Sequence, residues 1–100
     1  MQQNVITLAA LGKIPDDADM PDALFQQYDS LIQGCAPLTY EEAEALIGLF
    51  SDDCDDLNWG LLRLIETAGL QDAGRYRALI AQCSSAEFRD ILEKRLNNSR

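Results

Sequence analysis

Four aspartates around one cysteine, Asp52-Asp53-Cys54-Asp55-Asp56, are the densest cluster of chemistry-bearing side chains in this 100-residue chain. Clustered carboxylates suit hard cations, and calcium is the first chemistry to test. An EF-hand loop carries oxygen ligands at alternating positions, glycine at the sixth and glutamate at the twelfth. Counting from Asp53 places Asp55 third, Asn58 sixth and Leu64 twelfth. Counting from Asp55 places Glu66 twelfth and Gly60 sixth, but Leu57 third. Neither frame completes the loop, and no metal site is expected. The aspartates instead suit the positive end of a following helix, or an acidic patch that meets a partner.

Other routes to catalysis are closed by composition. The chain has no histidine, which removes the commonest general base and metal ligand. Cys35, Cys54 and Cys83 form no C-x-x-C pair and read as free thiols in a reducing compartment. Glu41, Glu42 and Glu44 could pair as acid and base, yet no partner group accompanies them, and charge at a helix end accounts for them. No Gly-rich phosphate loop is present. Asp29-Ser30-Leu31 resembles the attachment motif of acyl carrier proteins, but carriers place that serine at a helix start, whereas here it falls late in one. No catalytic residue and no cofactor are expected.

Charge says more about partners. Seventeen acids against eight bases give a formal charge of -9. Twelve of the acids and only Lys13 of the bases lie in residues 1–62; the other five acids and seven bases follow. Such an excess repels nucleic acid and anionic lipid, and it attracts positively charged partners. It also keeps a small protein dissolved whatever its function. No apolar run approaches the roughly 18 residues that span a bilayer, and the opening residues carry no basic signal-peptide region. A cytoplasmic location is expected.

The elements that must position these residues read as helices. Residues 4–11 form a short first helix ended by Gly12, and residues 13–20 a polar loop. Pro21 suits the first turn of a helix whose face is Leu24, Phe25, Tyr28, Leu31 and Ile32, stopped by Gly34. Thr39 with Glu42 three residues later fits a capping box, followed by Ala43, Leu46, Ile47 and Phe50. Asp55 or Asp56 caps the next helix, whose stripe is Leu57, Leu61, Leu64, Ile65 and Ala68, with Gly69 at its C-terminal cap. A helix from about Asp72 buries Tyr76, Leu79, Ile80 and Cys83. Ser84 with Glu87 makes a second capping box before Phe88, Ile91, Leu92 and Leu96. No stretch alternates with period two. The expected fold is all-α: one domain over residues 1–100, a compact bundle or short stack of antiparallel helical pairs, four to six helices in all.

Trp59, the only tryptophan, lies in the first turn of the helix after the aspartates. Beside acids it could anchor a protein interface; equally, it could pack on a neighbouring helix. The segment from Phe50 to Glu66 resembles small bacterial immunity proteins encoded beside polymorphic toxins, in particular the family called immunity protein 30. The shared pattern is an aromatic residue, an Asp-rich loop, then a helix reading Trp-Gly-Leu-Leu-x-Leu-Ile-Glu, and the likeness extends over about residues 38–97. Such families often carry a histidine before that glutamate, where this chain has Arg63 and Leu64. The resemblance implies a protein that binds and occludes a cognate, basic toxin domain one-to-one, without turnover or cofactor. Asp52, Asp53, Asp55, Asp56 and Trp59 would make the contact, with Glu41, Glu42 and Glu44 as flanking charge. The alternative is a helical adaptor unrelated to toxins.

Overall fold

In the computed structural model, which describes residues 1–70 and 73–98, the chain forms six α-helices among the described residues and no strand. These are α1 (Gln3–Leu11), α2 (Asp22–Gln33), α3 (Tyr40–Leu46), α4 (Asp55–Glu66), α5 (Ala73–Ile80) and α6 (Ala86–Asn98). Short 3-10 turns occupy Asp17–Asp19 and Thr67–Leu70. The all-α expectation holds. No described helix is long and apolar enough to cross a membrane.

The core is organised around α4. Its apolar stripe buries Leu57, Leu61, Leu62, Leu64 and Ile65, and the helix packs against α2, α3 and α6. Gly60 faces α2, where a methyl in its place would lie 3.5 Å from Ile32. Phe50 stacks on Phe88 of α6 at 5.5 Å between ring centroids, and Trp59 meets the same ring edge-on at 5.4 Å. The first twenty residues are part of this core: Val5, Leu8 and Ile14 are buried within it.

Helix ends follow the sequence in some places and depart from it in others. Gly12 closes α1 with a φ of +82°, a left-handed backbone that favours glycine. Gly34 ends α2 in ordinary helical geometry, so its need is spatial: a Cβ there would stand 2.7 Å from the Asn4 amide of α1. Pro21 stands just before the first turn of α2 rather than inside it. α3 is shorter than its stripe suggested and ends at Leu46, although Ile47 and Phe50 are still buried. Gly69 lies within the 3-10 turn that continues α4. The start near Asp72 lies outside the described residues, and α5 is described from Ala73. At α6 the capping hydroxyl is Ser85, which accepts from the Phe88 amide at 3.3 Å, while Ser84 donates to the Phe50 carbonyl. The second capping box is thus corrected to a single serine cap, one residue later.

The capping box at α3 is complete, and its glutamate does more than cap. Glu42 accepts from the Thr39 amide at 3.0 Å and from the Gln2 amide at 2.8 Å. The Gln2 side chain in turn grips residue 36, accepting from the Ala36 amide at 2.8 Å and donating to its carbonyl at 3.1 Å. Glu42 is 4% exposed, so it is a buried staple joining the N-terminus to α3. These hydrogen bonds, the Thr39 amide first, hold its carboxyl below the usual value of 4.5.

The sign of the pH effect follows. A depressed carboxyl stabilises the fold above its unfolded pKa, and that contribution is lost as pH falls through the folded pKa. Glu42→Gln places an amide N–H against a backbone donor and is expected to cost about 1–3 kcal/mol at neutral pH. Urea denaturation from pH 7 down past 4.5 should show a shallower acid limb in the variant than in the wild type.

Candidate functional site

The aspartate-rich loop between α3 and α4 is held by a side-chain amide beneath it. Asn58, 1% exposed, accepts from the Ser51 amide at 2.8 Å and donates to the Ser51 carbonyl at 2.9 Å. Both main-chain polar groups of one buried residue are therefore satisfied by one carboxamide. The Ser51 hydroxyl then reaches the loop after α1, lying 3.0 Å from the Pro15 carbonyl and 3.3 Å from an Asp16 carboxylate oxygen. It also accepts from the Asp53 amide at 3.2 Å. Two backbone bonds complete the seam, Ile14 N–H to the Leu49 carbonyl at 2.9 Å and Asp17 N–H to the Asp53 carbonyl at 2.7 Å.

The seam joins two loops that carry seven carboxylates between them and the helix they lead into: Asp16, Asp17 and Asp19 on the first loop, Asp52 and Asp53 on the second, and Asp55 and Asp56 in the first turn of α4. Asp17, Asp53, Asp55 and Asp56 line an open recess of about 170 Å³. Lys13 answers them with one ion pair, 3.1 Å from Asp52, between two exposed side chains. A pair so exposed contributes at most about 1 kcal/mol. Asp55 and Asp56 lie inside the helix rather than capping it. Cys54 holds the N-cap position and makes no side-chain cap bond, so the expected aspartate cap is corrected. The two acids meet the positive helix end from within its first turn. Burial pushes the Cys54 thiol up, and the neighbouring carboxylates push the same way. No cluster of three or more metal-ligating side chains among the described residues is placed to hold an ion.

The structure thus gathers Asp52, Asp53, Asp55 and Asp56, and it adds three acids that sequence reading passed over. Asp16, Asp17 and Asp19 sit in a polar loop some thirty-five positions away, and only the seam brings them near. A signal existed in Pro15 followed by two aspartates beside Lys13, but nothing in local spacing says where such a loop docks. Trp59 stands one turn beyond Asp55 and Asp56, 37% exposed, with its other edge against Phe88. The packing on a neighbouring helix is therefore met, and part of the ring stays exposed. Arg63 is exposed a turn further along α4.

The three glutamates are not part of this end. Glu42 is consumed inside the fold, which corrects its expected role as flanking surface charge. Glu41 and Glu44 are exposed on α3, and Glu41 lines a different recess, of about 470 Å³, with Met1 and Gln2. Ser30 is exposed late in α2, far from that helix's start.

Comparison with family models, with curated proteins and with solved structures finds no match for this chain.

The arrangement itself is an electrostatic one: exposed like charges on loops whose backbone is held, with a partly exposed aromatic ring one turn along α4. Its fixity depends on Asn58. Asn58→Ala strands the buried Ser51 amide and carbonyl, and the expected loss is about 1–3 kcal/mol of unfolding free energy. Chemical denaturation of the two proteins measures it; a difference below about 0.5 kcal/mol would show that the loop relaxes and finds water.

Proposed function

We propose that the protein acts as an inhibitor of the bacterial immunity type, which binds a basic toxin domain one-to-one and covers its working surface. The acidic end carries this reading. Seven carboxylates on the two joined loops and the start of α4, with Lys13 paired to Asp52, are suited to draw in a cationic partner and disfavour nucleic acid. The resemblance of residues 50–66 to immunity proteins, carried by the same Asp-rich loop and Trp59, agrees with this reading. Trp59 is suited to anchor the contact: its ring is already held by Phe88, so little side-chain freedom is lost on binding, and tryptophan is prominent in interface hot spots. The footprint proposed is Asp16, Asp17, Asp19, Asp52, Asp53, Asp55, Asp56 and Trp59. Occlusion of this kind involves no turnover and no cofactor, and it would take place in the cytoplasm of the producing cell.

The test is capture of partners by the tagged protein from its native cell, read by mass spectrometry, followed by binding kinetics with the captured polypeptide. One basic polypeptide in equal amount is expected. The combined Asp52, Asp53, Asp55 and Asp56→Asn variant should slow association by at least about tenfold and flatten its salt dependence. Trp59→Ala should act on dissociation, at a cost of about 2 kcal/mol. Recovery of several unrelated proteins would favour an adaptor, and an unchanged salt slope in the four-site variant would contradict the acidic footprint.

A further inference from the structure

We infer that the recess between α2 and α4 is a docking pocket for one carboxylate side chain, a glutamate or aspartate, of a partner polypeptide. Its lining is Ile32, Gln33, Cys35, Gly60, Arg63 and Leu64, and it holds about 210 Å³. The inference rests on this recess and not on the acidic loops, and it stands whatever the partner's identity.

Two observations point the same way. The first is Gly60. A glycine inside a helix costs stability relative to alanine, and a fold keeps one there for a close approach or a positive φ. Neither applies at this position. The φ of Gly60 is not positive. A Cβ there would lie 3.5 Å from Ile32 Cγ2 and 3.9 Å from Gln33 Nε2, both ordinary contact distances. The bundle would accept alanine, so the glycine serves the space it lines. A local rule broken without gain to the fold marks a functional position. The second observation is Arg63. Its helical neighbour three residues on, Glu66, is taken by Arg95 of α6 at 2.8 and 2.9 Å. Arg63 is exposed and makes no ion pair or side-chain hydrogen bond among the described residues.

The walls select the ligand. Arg63 and the Gln33 carboxamide both supply N–H donors, and a guanidinium meets a planar carboxylate with two parallel bonds. One guanidinium balances one negative charge. A phosphate carries more, and a chain of formal charge -9 repels the excess. Ile32 and Leu64 give an apolar wall for the methylenes of the same side chain. Size separates a side chain from a free small molecule, whose pockets run to about 300–1,000 Å³. Trp59 stands one turn before Arg63 on α4, and tryptophan and arginine are both prominent in interface hot spots. A partner seated on that ring has the recess within reach.

NMR titration of the intact protein at constant ionic strength tests this. The probe is glutamate capped as N-acetyl and N-methylamide, and equally capped glutamine is its neutral control. Capped glutamate should shift the Gly60 amide and the Arg63 Nε–H saturably, with a Kd of about 10 mM or tighter. Capped glutamine should shift neither. Cys35 gives a second reading, since it is half-buried while Cys54 and Cys83 are buried. It should react first with a maleimide, and capped glutamate at about three times its Kd should slow that reaction about fourfold. Arg63→Gln should weaken binding by about tenfold. Gly60→Ala should raise the urea midpoint and yet weaken binding about threefold, a combination that a purely structural glycine would not give. The pocket is overturned by the absence of a saturable shift up to about 100 mM, or by equal shifts with capped glutamine. A stronger response to inorganic phosphate would overturn the carboxylate assignment. So would a Gly60→Ala protein that is less stable than the wild type or binds as well.

Discussion

A single buried carboxamide organises the acidic loops of this protein. Asn58 lies on the inward face of α4 among leucines, where an unpaired amide would be costly. It satisfies both of its polar ends on one residue, Ser51, and thereby turns the chain that leaves α3 back onto the start of α4. Everything at the acidic end follows from that turn. Ser51 is placed to reach the first loop, the first loop is drawn alongside the second, and Asp17 comes to share a recess with Asp53, Asp55 and Asp56. An apolar residue at position 58 would bury as readily but could not hold Ser51 by both its main-chain groups.

The same device recurs at the other end of α3. Gln2 grips Ala36 through its amide as Asn58 grips Ser51, and Glu42 receives the Gln2 backbone. Two carboxamide clamps and one buried carboxylate thus fix the two ends of a seven-residue helix too short to be stable alone. At the far side, Arg95 of α6 holds Glu66 of α4 with two bonds of 2.8 and 2.9 Å. Polar staples at three places join helices whose apolar faces supply the burial.

Local chemistry was readable and long-range chemistry was not. The stripes of α2 and α4 and the Thr39–Glu42 box depend on spacing within a few residues, and they appear where the residues indicate. The cap of α4 did not follow, because Asp55 and Asp56 are both absorbed into the helix and Cys54 takes the cap position. Glu42 looks like one of three equivalent glutamates until Gln2, forty residues away, is seen to donate to it. Asp16, Asp17 and Asp19 look like an ordinary polar loop until Ser51 and Asp53 pair with it. In each case the deciding partner is distant in sequence, and neither periodicity nor propensity reports such pairs. Four of the seven acids were therefore visible from their run alone; the surface they belong to was visible only in three dimensions.

The central claim is that this end, rather than any other, meets a basic partner. Zero-length carbodiimide coupling tests it most directly, since the reagent joins a carboxylate to a lysine only where the two touch. With the captured partner bound, the account requires links from residues 16–19 and 52–56 to partner lysines, and their loss when Asp52, Asp53, Asp55 and Asp56 are asparagine. Links confined to Glu41 and Glu44 on α3, or to Glu87, Asp90 and Glu93 on α6, would place the interface elsewhere and contradict it.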